Sequence, residues 1–321
     1  MSFTITPVPG HERYERLARE GETARKRRRR IPIAPYLYIL PAIAVLGMWV
    51  YKPLVQTFQL SFYDWNLLPT APKQAVGLDN YVNLLHDRDL GQALSNTGIY
   101  IGAFLVSAVV LPLLIAIISR RVHGRAKTIY QAIIFVPFLV TPVATAATWD
   151  WLFSPYGGVI GASIKKLFGV DIGNVFANNP SALIAIIVIV SWQMLGFGVL
   201  VISAGLAGIS PDYAEAASMD GAGGFRIFRR ITLPLLSPTI MFLVLMTILL
   251  SAQWTYPMID ILTQGGPVNG TLNIYYLLYE VAFTSFDAGT AGAAGTLFFI
   301  VFGLIAVVLV RLSDKLSFYD N

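Results

Sequence analysis

Glu215-Ala216-Ala217-Ser218-Met219-Asp220-Gly221-Ala222-Gly223-Gly224, EAASMDGAGG, is a polar island between two long apolar blocks. One block runs from Ala182 to about Ile209, and the other, beyond Arg226, Arg229 and Arg230, from Leu235 to about Met258. An island so flanked belongs at a membrane face, where it is free to meet another protein.

Its local grammar is helix, bend, helix. Ser210 offers an N-cap hydroxyl, Pro211 suits the first helical position, where its missing N–H costs nothing, and Asp212 complements the helix dipole, so a short helix is expected from Pro211. Gly221, Gly223 and Gly224 fall where it should end, because glycine takes positive φ without the roughly 1–2 kcal/mol that a β-carbon costs there. Phe225, Phe228 and Ile231 form an apolar stripe at helical spacing, with Phe225 and Phe228 expected to fix the second helix against the bundle and Pro234 to close the unit.

The rest of the composition demands a membrane. Hydrophobic residues make up 55% of the 321 and charged residues 13%, too little polar surface to cover a soluble domain of that size. The expected fold is all-α and polytopic, with six transmembrane helices at about 34–60, 93–119, 128–153, 181–209, 236–259 and 289–311, each near the 20 residues or so that cross the hydrocarbon. Prolines 41, 112, 137 and 142 lie inside these spans, as bundles tolerate when neighbours satisfy the freed carbonyls. Trp149, Trp151 and Tyr51 suit the interfacial aromatic belts.

Of the 23 Lys and Arg, 18 fall on one side of these spans, which by the positive-inside rule places both termini and the island in the cytoplasm. Nine of them lie in a basic arm, residues 1–33, that ends in Arg25-Lys26-Arg27-Arg28-Arg29-Arg30 and suits acidic lipid headgroups, a reading compatible with a solvated tail. Nucleic acid is a poor inference from a charge so placed. The apolar run from Ile31 is too long for a cleavable signal peptide. The remaining divisions are the first span with its outer loop, 34–92, a core, 93–312, that carries the polar loop 210–235, and a tail, 313–321.

Three loops face out. Residues 63–92 contain GLDNYVNLLHDRD, in which Tyr81, Leu84 and Leu85 are expected on one apolar face of a short helix. Residues 154–180 are rich in Gly and Asn, with a helical patch near Ile164–Phe168, and residues 260–288 hold a Gly-Gly-Pro turn and an aromatic helix.

Chemistry is excluded more than found. There is no cysteine, and His11, His86 and His123 share no metal-like spacing. Glu215 and Asp220 have neither a His or Lys partner nor a pocket, so no enzyme is visible. The middles of spans two to six carry no charge, unlike a transporter coupled to protons or sodium. No G-x-x-x-x-G-K-[ST] loop is present, so ATP hydrolysis by that route belongs to a separate chain. A passive channel or motor-less membrane subunit would share these traits, but would leave the polar island unexplained.

Glu215-Ala216-Ala217, three residues, Gly221, nine residues, then Ile231-Thr232-Leu233-Pro234 resembles the EAA loop of permease subunits in bacterial ATP-binding-cassette (ABC) importers. The resemblance implies a type I importer fold of the MetI-like kind and a cytoplasmic coupling helix that sits in a groove of the ATPase, with Glu215, Ala216, Ala217, Asp220 and Gly221 at the contact. FVPFLVTPVATAATWDWLFSPYGG, the W-x4-F of Trp192–Phe197 and LTQGGP with Tyr279 and Phe283 resemble the carbohydrate-uptake branch. That implies a second homologous permease, two copies of an ATPase that binds ATP and Mg, and an extracytoplasmic solute-binding protein, with no cofactor in this chain. PMIDILTQGGPVNGT is similar to glycerol-3-phosphate permeases, and oligosaccharide permeases share much of it.

Gln193, Phe197, Ser251, Trp254 and Thr255 are polar or aromatic groups in otherwise aliphatic spans four and five, suited to bonding a sugar or polyol beside a flat ring. The resemblance places the solute site between these two helices. Helix packing would call for the same residue types. Ala252 stands where a maltose-type site would carry an amide, so the substrate does not transfer with the resemblance.

Overall fold

The computed structural model of the chain describes residues 33–119, 122, 124–169 and 171–316. The basic arm to residue 32 and the tail beyond 316, with the headgroup and tail expectations placed on them, lie outside the described residues. Among the described residues the protein is helical apart from a two-residue antiparallel pair, Tyr63–Asp64 with Gln74–Ala75.

The chain divides into two units, residues 1–56 and 57–321, a boundary that falls within the first helix rather than at residue 34 or 93. That helix, α1, joins Ile33–Leu46, a π-helical turn Gly47–Tyr51 and Lys52–Leu60. Between Leu37 and Leu60 none of it is buried, with Trp49 74% exposed. A predominantly apolar helix of this length is suited to lipid.

In the second unit follow α2 (Asp79–His86), α3 (Arg88–Ile118), α4 (Arg125–Leu139), α5 (Pro142–Phe153), α6 (Val159–Phe168), α7 (Ser181–Ala207), α8 (Asp212–Met219), α9 (Gly224–Leu262), α10 (Ile274–Tyr279) and α11 (Ala288–Leu316). Five helices are long and apolar enough to span a membrane, and the bent pair α4–α5 makes a sixth. The third expected span is therefore broken. Its halves meet at 92°, because Pro142 forces Thr141 out of the helical region and Val140 is extended as well.

The other spans bend less, and for a visible reason. The π turns Gly47–Tyr51, Val106–Val110 and Phe228–Thr232 each end two residues before a proline, Pro53, Pro112 and Pro234. A proline ring clashes with the carbonyl four residues back, and a widened turn moves that carbonyl aside without breaking the helix. Pro234 accordingly does not close the docking unit as expected. It lies inside α9, which starts at Gly224 and is longer than the expected 236–259. Farther along, the carbonyl of Pro234 freed by Pro238 accepts from Ser237 Oγ at 2.6 Å.

α7 is the central post. Ile186, Ile189, Val190, Met194 and Ile202 are buried against Tyr100 and Phe104 of α3, Met258 and Ile259 of α9, and the α4 backbone. The approach to α4 is close enough that a Cβ at Gly196 would strike the carbonyl of Ile134, and one at Gly198 that of Ala108 on α3. α2 lies against the start of α11, where Asn80 Nδ2 donates to the carbonyls of Ser61 at 2.9 Å and Tyr63 at 3.0 Å. Of the expected apolar face of α2, Leu84 is buried and Tyr81 reaches Ser61 Oγ at 2.7 Å, but Leu85 is 64% exposed. The inward stripe is Asn80–Leu84 and leaves Leu85 outside.

Candidate functional site

The polar island forms the short helix α8 and a tight return. Ser210 Oγ accepts from Asp212 N at 3.3 Å, and Asp212 and Glu215 lie in the first turn, where the helix dipole favours an acid. At the other end Ala222 N donates to Ala217 O at 3.0 Å and Gly221 N to Ser218 O at 3.0 Å, with Gly221 at φ +76°. This pair of bonds around a left-handed residue is a Schellman cap, and it is the reason a glycine stands at 221. Gly223 and Gly224 play another part: both have ordinary φ, Gly223 capping α9 and Gly224 beginning it.

α8 buries none of its residues. Glu215, Ala216, Asp220 and Gly221 are exposed, Ala217 is half-buried and Met219 is 89% exposed. Phe225 is 77% exposed and does not fix α9 against the bundle; Phe228 and Ile231, both half-buried, are the inward members of that stripe. α8 is therefore a short, capped helix whose acids, Ala216 and Met219 are exposed.

The five residues expected along a solute path do not share one surface. Gln193 is 0% exposed, and its Nε2 shares its two hydrogens among Pro137 O at 3.2 Å, Val140 O at 3.1 Å and Thr145 Oγ1 at 2.9 Å. Thr255 is 0% exposed, donates to Ser251 O at 2.8 Å and accepts from Asn273 Nδ2 at 2.6 Å. Ser251, also 0% exposed, turns its hydroxyl to Ile248 O at 3.0 Å. None of these three can line a path in this conformation, since their donors are taken by their own chain.

Phe197 and Trp254 do come together, through a residue not anticipated. Phe138, at the end of α4, is stacked between them, with centroids 4.8 Å from Phe197 and 5.1 Å from Trp254 and planes within 16° and 12° of parallel. All three are half-buried, and each such pair contributes about 0.5–1.5 kcal/mol beyond its area. Gln253 was also missed. It is exposed in the last third of α9 and has no hydrogen bond to its own chain among the described residues, beside the Trp254 of the stack. An amide at that depth needs a partner from water, solute or another subunit.

Opposite α8, the segment Thr263–Asn273 dips into the bundle and is held there. Asn96 Nδ2 donates to Asn269 O and Leu272 O at 3.0 and 2.9 Å, Tyr100 OH to Thr271 O at 3.0 Å, and Asn273 Nδ2 to Ala252 O at 2.9 Å. Beyond it Glu280 carries a carboxyl pushed above its ordinary range by burial first and the Asp89 charge second, and the Tyr276 phenol is pushed up to about 12, chiefly by burial. Among the described residues no group of His, Cys, Asp and Glu could hold a metal ion.

Residues 93–317, which include every span after α1 and the α8 loop, match the family described as binding-protein-dependent transport system inner membrane component. The chain belongs to this family. The permease is 30% identical over 285 residues to the sn-glycerol-3-phosphate transport system permease protein UgpA of Escherichia coli (strain UTI89 / UPEC), covering 88% of this chain and 95% of the relative. It is 32% identical over 289 residues to a probable ABC transporter permease protein of Pyrococcus horikoshii, with the same coverages. Its fold matches a bacterial ABC transporter involved in import of the acidic polysaccharide alginate at TM-score 0.75 and 22% identity, over 96% of this chain and 100% of that one. The permease is thus an integral inner membrane subunit of a binding-protein-dependent ABC importer, and the motor-less channel is set aside.

Proposed function

We propose that this permease imports an uncharged oligosaccharide or polyol handed over by an extracytoplasmic binding protein. It works beside a second homologous permease and two copies of a separate ATPase, which bind the ATP and Mg; this chain carries no cofactor and is not itself an enzyme. Glu215, Ala216, Ala217, Asp220 and Gly221 are the ATPase contact, with α8 and both termini in the cytoplasm. Phe138, Phe197, Trp254 and Gln253 are the solute-facing groups, while Gln193, Ser251 and Thr255 support them from behind.

The charge at the end opposite α8 carries the choice of substrate class. Residues 61–92, 150–180 and 260–287 hold nine Asp and Glu against four Lys and Arg. Of those four, Lys165 is paired with Asp171 at 2.9 Å and Lys73 lies 4.1 Å over the Trp65 ring. An anion approaching this end meets repulsion, whereas hydroxyls and flat sugar faces suit exposed amide and ring edges. A glycerol-phosphate substrate, which the UgpA relative suggests, would meet a net-negative end in which only Arg88 and Lys166 stand outside the contacts just named.

The test is uptake into proteoliposomes holding the whole importer, with maltotriose and sn-glycerol-3-phosphate competing. Saturable maltotriose uptake insensitive to glycerol-3-phosphate is expected; saturable glycerol-3-phosphate uptake overturns the substrate class. Orientation is read by cysteines placed at Ser119, Ser163 and Ser218 of this cysteine-free chain. An impermeant thiol reagent outside is expected to reach only position 163.

A further inference from the structure

Gln193 does something other than contact solute. We infer that it is a positioning residue, the tie through which α7 carries the broken third span when the docking loop moves. This goes beyond the proposed substrate reading and does not depend on it.

The break between α4 and α5 leaves backbone acceptors with no helical donor. Pro137 O receives Val140 N at 3.3 Å, and Val140 O lies in an extended pair of residues. Gln193 Nε2 reaches both carbonyls and, across the break, Thr145 Oγ1 in the first turns of α5. One amide on α7 therefore holds both halves of a span bent by 92°. Thr145, like Gln193, is buried, at 3% exposure, so water does not substitute for the amide. The three acceptors around Nε2 place the N–H side of the amide at the break, and Oε1 is left buried without a hydrogen-bond partner among the described residues.

Two further contacts make this a joint and not a lone bond. Gly196, almost one turn on, lets the α4 backbone at Ile134 come against α7, and Phe197 stacks on Phe138 immediately before the break. From Gln193, α7 runs on to Ala207 and through Gly208–Pro211 into α8. Displacement of α8 is thus transmitted along an unbroken helix to Gln193 and from there to both α4 and α5. With its donors taken by the break, Gln193 has none left for solute.

The experiment uses the whole importer in nanodiscs, with spin labels on cysteines placed at Tyr156 and Ser218. If the tie holds, this pair keeps one narrow distance distribution with and without ATP–vanadate. Gln193→Met, similar in volume but with no donor, is expected to broaden or split that distribution. Gln193→Asn, an amide one methylene shorter, is expected to fall between. In uptake of whichever competitor above is transported, Gln193→Met should lower Vmax about tenfold or more and leave KM within about twofold.

An unshifted, narrow distribution in Gln193→Met, or a native distance that itself changes with nucleotide, overturns the inference. So does a raised KM at unchanged Vmax, which would make Gln193 a solute contact. Should Gln193→Met not assemble, Thr145→Val, which removes the acceptor on α5 alone, is read in the same way. Failure of both variants to assemble would make the amide a folding determinant and also overturns the inference.

Discussion

The two ends of α9 are held in opposite ways. At its start the α8 loop is capped within itself by the Gly221 bend, and α8 buries none of its residues. Beyond its end Thr271, Leu272 and Asn273 are almost wholly buried and bonded to α3 and α9. Both segments are polar turns between apolar helices, so hydropathy treats them alike. What separates them is completeness: the second finds its partners in its own chain, and the first leaves acids, Ala216 and Met219 exposed, as the proposed docking role requires.

The contrast predicts opposite failures. Gly221→Val has open space for its side chain, so its cost is the φ of +76° alone, about 1–2 kcal/mol at the bend. The protein is expected to reach the membrane at normal level, with uptake abolished and the ATPase co-purifying poorly. Gly221→Asn, which tolerates left-handed φ, should retain much of both. Normal uptake with stoichiometric ATPase in Gly221→Val would remove the docking role of the loop. Asn273→Ala breaks the other end: Ala252 O and Thr255 Oγ1 lose a donor and Tyr276 N its acceptor at 2.7 Å. At about 1–3 kcal/mol for a group left buried and unpaired, the melting temperature in detergent should fall clearly while the ATPase still binds. An unchanged melting temperature would mean the loop is not held as described.

The α8 loop was legible in the sequence because its geometry is written locally. Gly221 follows a helical stretch with an N-cap hydroxyl, and a Schellman cap needs nothing beyond those neighbours. Span number was legible for a similar reason, since hydropathy reports length. It does not report direction, so Pro142 reads as a tolerated proline when it stands at a 92° break in the span. The buried side of α9 was not legible, for want of azimuth. Ala252 and Thr255 meet Asn273 of the inserted loop, Ser251 is buried, and Gln253 is exposed. Which side of α9 is inside depends on Asn273, a residue beyond the span. Gln193 likewise reads as a binding amide until the freed carbonyls of another helix are seen beside it.

If the exposed face of α9 is the one that meets solute, truncating it should affect uptake more than the buried face does. Gln253→Ala is expected to raise KM for uptake roughly three- to tenfold, the loss of about one hydrogen bond, with the melting temperature unchanged. Thr255→Val should do the reverse, lowering stability with KM held. A KM effect confined to Thr255→Val would return the path to the buried face.

The smallest effect belongs to Glu280, at the same end as the inserted loop. Burial and the Asp89 charge raise its carboxyl pKa in the folded protein above the unfolded value. The folded state therefore holds this proton more tightly than the unfolded chain does. Below the ordinary glutamate range both states are protonated and the residue imposes no penalty. As pH rises through that range the unfolded chain ionises first, and the penalty on folding grows until the raised pKa is passed, after which it stays constant. Glu280→Gln removes the charge at every pH. The variant should melt slightly higher than the native permease at neutral pH, by the equivalent of about 0.5 kcal/mol or less for so accessible a site, and the difference should vanish on acidification to the ordinary carboxylate range. A gain that persists unchanged at acid pH would trace to packing instead of ionisation. A loss at neutral pH would show that the Glu280 charge is met by a partner subunit, and the inserted end would then be as incomplete in the single chain as the docking loop.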